Sequence, residues 1–323
     1  MNTVREIIKK YMSKSLESVM CRTNDYILSQ ISEIRLRVNR PLVMVCCDQD
    51  FFITKSGTIT QNQTQALVAT RTDVWDTLNR ICDNSIYAYL NTIRSGFITV
   101  KGGHRIGIMG KVIIENGAIK NIKDISSINI RVAREMKGIG QKVISYIVRD
   151  RKDIYNTLII SPPSYGKTTM LRDILRIISD GGSSLHIRGM KVSIIDERSE
   201  IAAVYNGVPQ NDIGLRSDVL DACPKYDGMM LALRTMSPDV IATDEIGSEQ
   251  DFKALLKIIN CGVRIISTMH GFDILDAQKR GLSHKIFERF IILGKDKKVG
   301  EVKEILDENY NNIMRIEDEK NVV

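Results

Sequence analysis

The stretch SPPSYGKTT, residues 161–169, holds residue types that can bind a chain of phosphates. Gly166 admits close approach of backbone to an anion, because it carries no Cβ. Successive N–H groups and the positive end of a following helix would then cradle the charge. Lys167 is expected to reach the β- and γ-phosphates of ATP, Thr168 to put its hydroxyl on Mg²⁺, and Thr169 to sit near the α-phosphate. The candidate loop runs Ser161, Pro162, Pro163, Ser164, Tyr165, Gly166, Lys167, Thr168, Thr169. The pattern GxxxxGK[ST] opens on glycine, whereas this chain has Ser161. If that position requires a positive φ, strain of roughly 1–2 kcal/mol is expected there, with weakened binding.

Acidic residues follow two other apolar runs. In MSPDVIATDEIG, Val240–Thr243 leads into Asp244 and Glu245. A carboxylate at a strand end can hold Mg²⁺ beside a phosphate loop, and a neighbouring one can orient or deprotonate the attacking water. Val192–Ile195 leads into Asp196-Glu197-Arg198-Ser199-Glu200. This cluster reads equally as a charged loop and as a second source of the base, so Glu197, Glu200 and Glu245 remain alternatives for water activation. His270, after Arg264–Thr268, could sense the γ-phosphate or link to the acidic cluster, and it reads also as a structural histidine. Arg234 closes a helical stretch and either completes the site or complements its own helix dipole.

These residues need a scaffold that brings strand ends to one rim. The second half of the chain alternates strands (Thr157–Ile160, Val192–Ile195, Val240–Thr243, Arg264–Thr268, Arg289–Leu293) with helical stretches, the pattern of a parallel sheet with crossover helices. Met170, Leu171, Ile174, Leu175 and Ile178 form an apolar helical stripe after the phosphate loop, ended by Gly181 and Gly182. A hairpin is expected between Phe290–Leu293 and Val299–Ile305, across Gly294–Lys298. The first half reads as α+β: an opening amphipathic helix, strands at Leu42–Val45, Phe51–Thr54, Phe97–Val100 and Ile106–Ile108, and a helix at Asp73–Cys82. The expected division is an N-terminal α+β domain at 1–137, a connector helix and linker at 138–153, and a RecA-like α/β P-loop domain at 154–323.

Composition narrows the classes. The chain has 323 residues, 43% hydrophobic and 26% charged, a globular balance. A net charge of +7 suits phosphate ligands, nucleic acid or an anionic surface, or simply a solvated basic exterior. The six cysteines form no CxxC pair and no zinc spacing, as expected of free thiols in a reducing compartment. No signal peptide is expected from MNTVREIIKKYM. No stretch reaches the length of a membrane span, so any membrane contact is expected to be peripheral.

The segments SPPSYGKTTMLRDILR, SIIDERSEIAAVYNGVPQNDIGLRSDVLDACPK and LRTMSPDVIATDEIG resemble the stage III sporulation protein AA family. EIRLRVNRPL, FITVKGGHRIGIMGK and SSINIRVARE match it too, so the resemblance spans nearly the whole chain. It departs at Ser161, where the family has glycine. That family is similar to type II and type IV secretion ATPases. The resemblance implies an N-terminal α+β domain before a RecA-like core, and ring assembly, usually hexameric. It puts Lys167 and Thr168 in a Walker A box, Asp244 and Glu245 in Walker B, 196–200 in an Asp-box-like segment and His270 in a His-box-like one. It further implies an ATPase at the cytoplasmic face of the mother-cell membrane around the forespore. There it would power or gate a secretion-like channel made of the other membrane proteins of stage III sporulation.

Ring closure would bring arginines to the γ-phosphate. Arg105 and Arg131 are the candidates from the first domain, and Arg198 from the acidic cluster; each reads equally as an ordinary surface arginine. Two rival functions stay open. One is a nucleic-acid-stimulated ATPase, disfavoured by an aromatic content of 6% and the lack of an aromatic stacking run. The other is a nucleotide-binding scaffold with little turnover, suggested by Ser161.

Overall fold

The computed structural model describes residues 3–47, 49–94, 96–182, 187–282, 286–294 and 299–315. The chain divides into two compact units, Met1–Arg134 and Glu135–Val323.

The first unit opens on α1 (Thr3–Tyr11), whose buried Val4, Ile7, Ile8 and Tyr11 fall on one face at helical spacing. The strands of its main sheet are β1 (Ile31–Arg37), β2 (Val43–Cys46), β3 (Gln49–Ile53), β4 (Ile59–Thr60), β5 (Phe97–Val100), β6 (His104–Glu115) and β7 (Ala118–Arg131). They form one antiparallel sheet in the order β4-β3-β2-β1-β7-β6-β5. The helix expected at Asp73–Cys82 is α2 (Arg71–Ile81), started by a reciprocal Thr70–Asp73 capping box and burying Val74, Leu78 and Ile81.

In the second unit the strands of the main sheet are β8 (Thr157–Ser161), β9 (Val192–Asp196), β10 (Ser217–Asp221), β11 (Val240–Thr243), β12 (Arg264–His270), β13 (Arg289–Gly294) and β14 (Glu301–Leu306). Their order is β10-β9-β11-β12-β8-β13-β14. All neighbours are parallel except β13 and β14. Both faces are covered, which is why these strands are near-continuous apolar runs. Ile159, Ile194, Ala242, Ile266 and Ile291 pack under α3 (Lys167–Asp180), with its Leu171, Ile174 and Ile178. Leu158, Ile160, Ile241, Ile265 and Phe290 point the other way. They meet Met229 of α4 (Lys225–Thr235) and Leu255 and Ile258 of α5 (Glu249–Asn260). Each such fully buried aliphatic side chain contributes about 1.5–3 kcal/mol.

Two features differ from the sequence reading. The continuous helix expected at Gly140–Val148 is a 3₁₀ turn, Gly140–Lys142, then a one-turn helix, Ile144–Ile147, then a strand, Val148–Asp150, paired with Asp153–Ile154. This segment lies in the second unit. Gly140 N–H donates to the buried Asp173 carboxylate at 2.7 Å, and a Cβ at Gly140 would come within 2.9 Å of the Ile174 nitrogen. The edge strand β10 has no apolar run to announce it; SDVLD is held by pairing with β9. The β13–β14 hairpin forms, while residues 295–298 of its turn lie outside the described residues.

Candidate active site

Parallel strands deliver their C-terminal ends to one rim, and the loops there carry the candidate chemistry. Ser161 is the last residue of β8, fully buried and paired with His270 of β12. The positive φ expected at Ser161 is not found. The left-handed residues of the loop are Ser164 (φ 67°) and Gly166 (φ 92°). Ser161 therefore carries no strain of the kind anticipated, and its hydroxyl donates to the Pro162 carbonyl at 3.0 Å. Pro162 and Pro163 bring no N–H, so backbone donors for an anion begin at Ser164.

Gly166 is required twice over. Its φ suits glycine, and a Cβ there would lie 2.7 Å from Val299 Cγ1. The hairpin that supplies Val299 also clamps the loop, since Gly300 N–H donates to the Tyr165 carbonyl at 2.7 Å. Helix α3 starts at Gly166 with no side-chain cap, and its first bond runs from Met170 N–H to the Gly166 carbonyl. The N–H groups of Lys167, Thr168 and Thr169 precede that bond, an arrangement suited to phosphate oxygens.

Beside this helix end a connected set of side chains crosses three strands. Thr168 Oγ1 donates to Asp244 Oδ2 at 2.6 Å. The Thr268 hydroxyl of β12 holds the other Asp244 oxygen and accepts the Glu245 N–H at 2.8 Å. Glu245 sits at φ 54°, an uncommon conformation for a non-glycine residue, which this hydrogen bond helps to hold. Its carboxylate lies 3.0 Å from His270 Nε2 and 2.6 Å from the Arg198 guanidinium. Lys167, nearly buried, has its Nζ 3.3 Å from His270 Nδ1 and 3.4 Å from Nε2. With Nε2–H committed to Glu245, Nδ1 is the nitrogen left to accept from Lys167. Arg198 is more than half exposed, so its ion pair adds at most about 1 kcal/mol of stability.

The acidic segment after β9 divides by role. Asp196 is buried and accepts N–H bonds from Glu200, Ile201 and Ala202 at 2.8–3.0 Å. Burial pushes its carboxyl up to about 6, against the lowering effect of those bonds and with help from the nearby Asp221 charge. Asp196 thus shapes the turn. Arg172 of α3 braces it through the carbonyls of Ile201 (2.6 Å) and Glu200 (2.7 Å). Glu197 forms an ion pair with Lys225 at 2.6 Å. Glu197 and Glu200 line one small cleft with Asp244 and Glu245. A larger cavity of about 790 Å³ adjoins Glu197 and Glu245 between the starts of α4 and α5.

The rim therefore brings together Lys167, Thr168, Asp244, Glu245, Arg198 and His270, with Glu197 and Glu200 adjacent. Arg234 bends back to the Met230 carbonyl of its own helix at 3.1 Å and lines none of these cavities. Arg105 and Arg131 belong to the first unit, where Arg105 stacks 3.8 Å over the Phe97 ring and Arg131 approaches Glu33 at 3.6 Å. Thr268 and Arg172 had no sequence signal: one is a β-branched residue inside a strand, the other a helical arginine. The fit to a magnesium nucleotide rests on the uncapped helix end, the glycine-only approach and the Thr168–Asp244 pair. Among the described residues no cluster of three His, Cys, Asp or Glu could hold a metal unaided.

Comparisons with known proteins agree with this geometry. The model of a family described as "Sporulation stage III, protein AA" matches residues 2–313. The chain is 37% identical over 320 residues to stage III sporulation protein AA of Bacillus subtilis (strain 168), covering 98% of each. In fold it is similar to the ATPase DotB of Legionella pneumophila (TM-score 0.51, 16% identity, 81% of this chain and 72% of that one). It is equally similar to the pilus retraction motor PilT with bound ADP (TM-score 0.51, 14% identity, 81% and 74%). The fold is that of the RecA-like secretion ATPases, an α/β core with a parallel-rich sheet preceded by a smaller α+β unit.

Proposed function

The chain belongs to the Sporulation stage III, protein AA family, and we propose that it binds and hydrolyses ATP as a ring-forming motor serving a secretion-like channel during endospore formation. The observation that carries this reading is the 2.6 Å contact between Thr168 and Asp244 beneath the uncapped start of α3. It joins a phosphate-binding helix end to a strand-end carboxylate across the intervening strand β12. Thr168 and Asp244 would hold Mg²⁺, which supplies charge neutralisation to the phosphates when bound. The N–H groups of Lys167, Thr168 and Thr169, with the Lys167 ammonium, bind the phosphate chain.

Glu245 then orients the attacking water and takes its proton, with Glu197 and Glu200 as the neighbouring carboxylates. The chain Lys167–His270–Glu245–Arg198 gives a route from nucleotide occupancy to the base. A γ-phosphate that draws Lys167 off His270 changes the partner set of Glu245. Arg198 is the arginine closest to that base; Arg105 and Arg131 act only if assembly carries them to a phosphate. The solved relatives in fold, an ATPase and a pilus retraction motor with bound ADP, support an ATP-driven motor; the hexameric ring and the membrane proteins of the sporulation channel follow from the family resemblance. Among the described residues no helix is long and apolar enough to cross a membrane, so this reading places the chain peripherally, on the cytoplasmic side of the mother-cell membrane around the forespore.

Steady-state phosphate release with Mg·ATP tests the reading. The wild type is expected to turn over and Lys167→Ala to show none. Equal rates in both would overturn it.

A further inference from the structure

In the first unit β6 and β7 run on beyond the sheet. β6 pairs with β5 as far as Gly107, and β7 with β1 as far as Ser127, with one more backbone bond at each boundary. Past these points the two strands pair only with each other as far as the Asn116–Gly117 turn. Both turn residues have positive φ, the requirement of a two-residue type I′ hairpin. The arm is also bent by design. The register shifts between Met109 and Lys111, and a Cβ at Gly110 would lie 2.5 Å from the Lys123 carbonyl oxygen.

Cross-strand pairing sorts the faces of this arm. Val112 stands opposite Ile122, and Ile114 opposite Ile119, on one face; Lys111 stands opposite Lys123 on the other. Ile114 is 67% exposed, Ile119 46% and Val112 43%. Directly opposed like charges destabilise a pair of strands, and neither lysine has a carboxylate partner among the described residues. The one acid at the tip, Glu115, is already paired with Lys120 at 2.6 Å. Charge is concentrated here. Residues 94–134 hold eight Lys and Arg against two Asp and Glu. The first unit as a whole has 19 against 11 and the second 27 against 28, so the basic excess of the chain lies in the first.

We propose that this hairpin tip docks on an anionic lipid bilayer. Ile114 and Ile119 flank the turn and enter the boundary between headgroups and acyl chains. Lys111 and Lys123 lie three and four residues further back, roughly 10 Å along the arm, at the level of lipid phosphates when the tip enters. A nucleic acid would satisfy the lysines and leave the aliphatic side chains in water. An apolar groove on a protein would do the reverse. An anionic bilayer satisfies both. The inference deepens the peripheral-membrane part of the proposed function and uses no residue of the nucleotide site, so either can fail alone.

The test is co-sedimentation of the full chain with vesicles of phosphatidylcholine alone or with roughly one-third phosphatidylglycerol, with ATP uptake and circular dichroism measured alongside. The expected result is binding to the anionic vesicles only, weakened by added salt. A tenfold or greater loss is expected in Ile114→Ser/Ile119→Ser and, separately, in Lys111→Gln/Lys123→Gln, with ATP uptake unchanged. No binding to anionic vesicles, or wild-type binding by both variants, overturns the proposal. So does a change in oligomer mass or single-stranded DNA binding in the aliphatic variant without a change in vesicle binding, which assigns the face to a second copy or to nucleic acid.

Discussion

Asp244 is held by two hydroxyls, and they differ in how readily a sequence reveals them. Thr168 stands in a phosphate-loop pattern; Thr268 looks like any β-branched strand residue. Yet Thr268 both holds the carboxylate and fixes the backbone of Glu245. Thr268→Val keeps the shape and removes the hydroxyl. The Glu245 N–H then loses its partner, at a cost of about 1–3 kcal/mol. Turnover is expected to fall at least tenfold with ATP affinity changed far less, which kcat and a binding isotherm measure separately. Asp196 makes a second prediction. Its folded carboxyl, raised to about 6 by burial, lies above the unfolded value of about 3.9. The folded state therefore binds the extra proton, and this contribution to stability is full below about pH 4 and lost as pH rises through 6. Compared with Asp196→Asn, the wild type should lose of order 2–3 kcal/mol between pH 4 and 7 in denaturant titrations. A constant difference across that range would contradict the assignment. The sequence offered Asp196 as part of a charged cluster; that its oxygens face three backbone N–H groups depends on a turn no spacing encodes.

At the scale of elements, the parallel core was readable because strands buried on both faces are unbroken apolar runs ending in chemically distinctive residues. The edge strand β10 was not, since only Val219 and Leu220 of SDVLD pack on the cores, one on each face, and the strand otherwise depends on pairing with β9. The expected connector helix is cut to one turn, Ile144–Ile147, because Val148–Asp150 leaves it to pair as a strand with Asp153–Ile154, as its β-branched end favours. The positive φ considered for Ser161 falls instead on Ser164 and Gly166, a matter of loop geometry that residue types do not report. Gly166 ties the loop to α3 and to the β13–β14 hairpin. Gly166→Ala meets about 1–2 kcal/mol of left-handed strain and a clash with Val299. It is expected to lower ATP affinity more than tenfold and the melting temperature by a few degrees; an unchanged isotherm would show that the loop does not need this turn.

For the whole molecule, family membership carries the setting, while the motor and its ring assembly are inferences to be tested. A nucleotide-dependent ring predicts a rise in mass on adding Mg·ATP to a Glu245→Gln variant, read by light scattering. A monomer in every condition would remove the motor and leave the site. The sequence set residues 138–153 apart as a connector and could not show that Gly140 packs on α3, because the contact runs through a glycine and one buried carboxylate.

The claim beneath all of this is that Lys167, Thr168, Asp244 and Glu245 serve one magnesium nucleotide at one sheet rim. Calorimetric titration of Mg·ATP into Glu245→Gln and Lys167→Ala, with phosphate release followed in the same samples, tests it most directly. The account predicts uptake without turnover in Glu245→Gln and neither in Lys167→Ala. Turnover at the wild-type rate in Glu245→Gln, or undiminished uptake by Lys167→Ala, would contradict it.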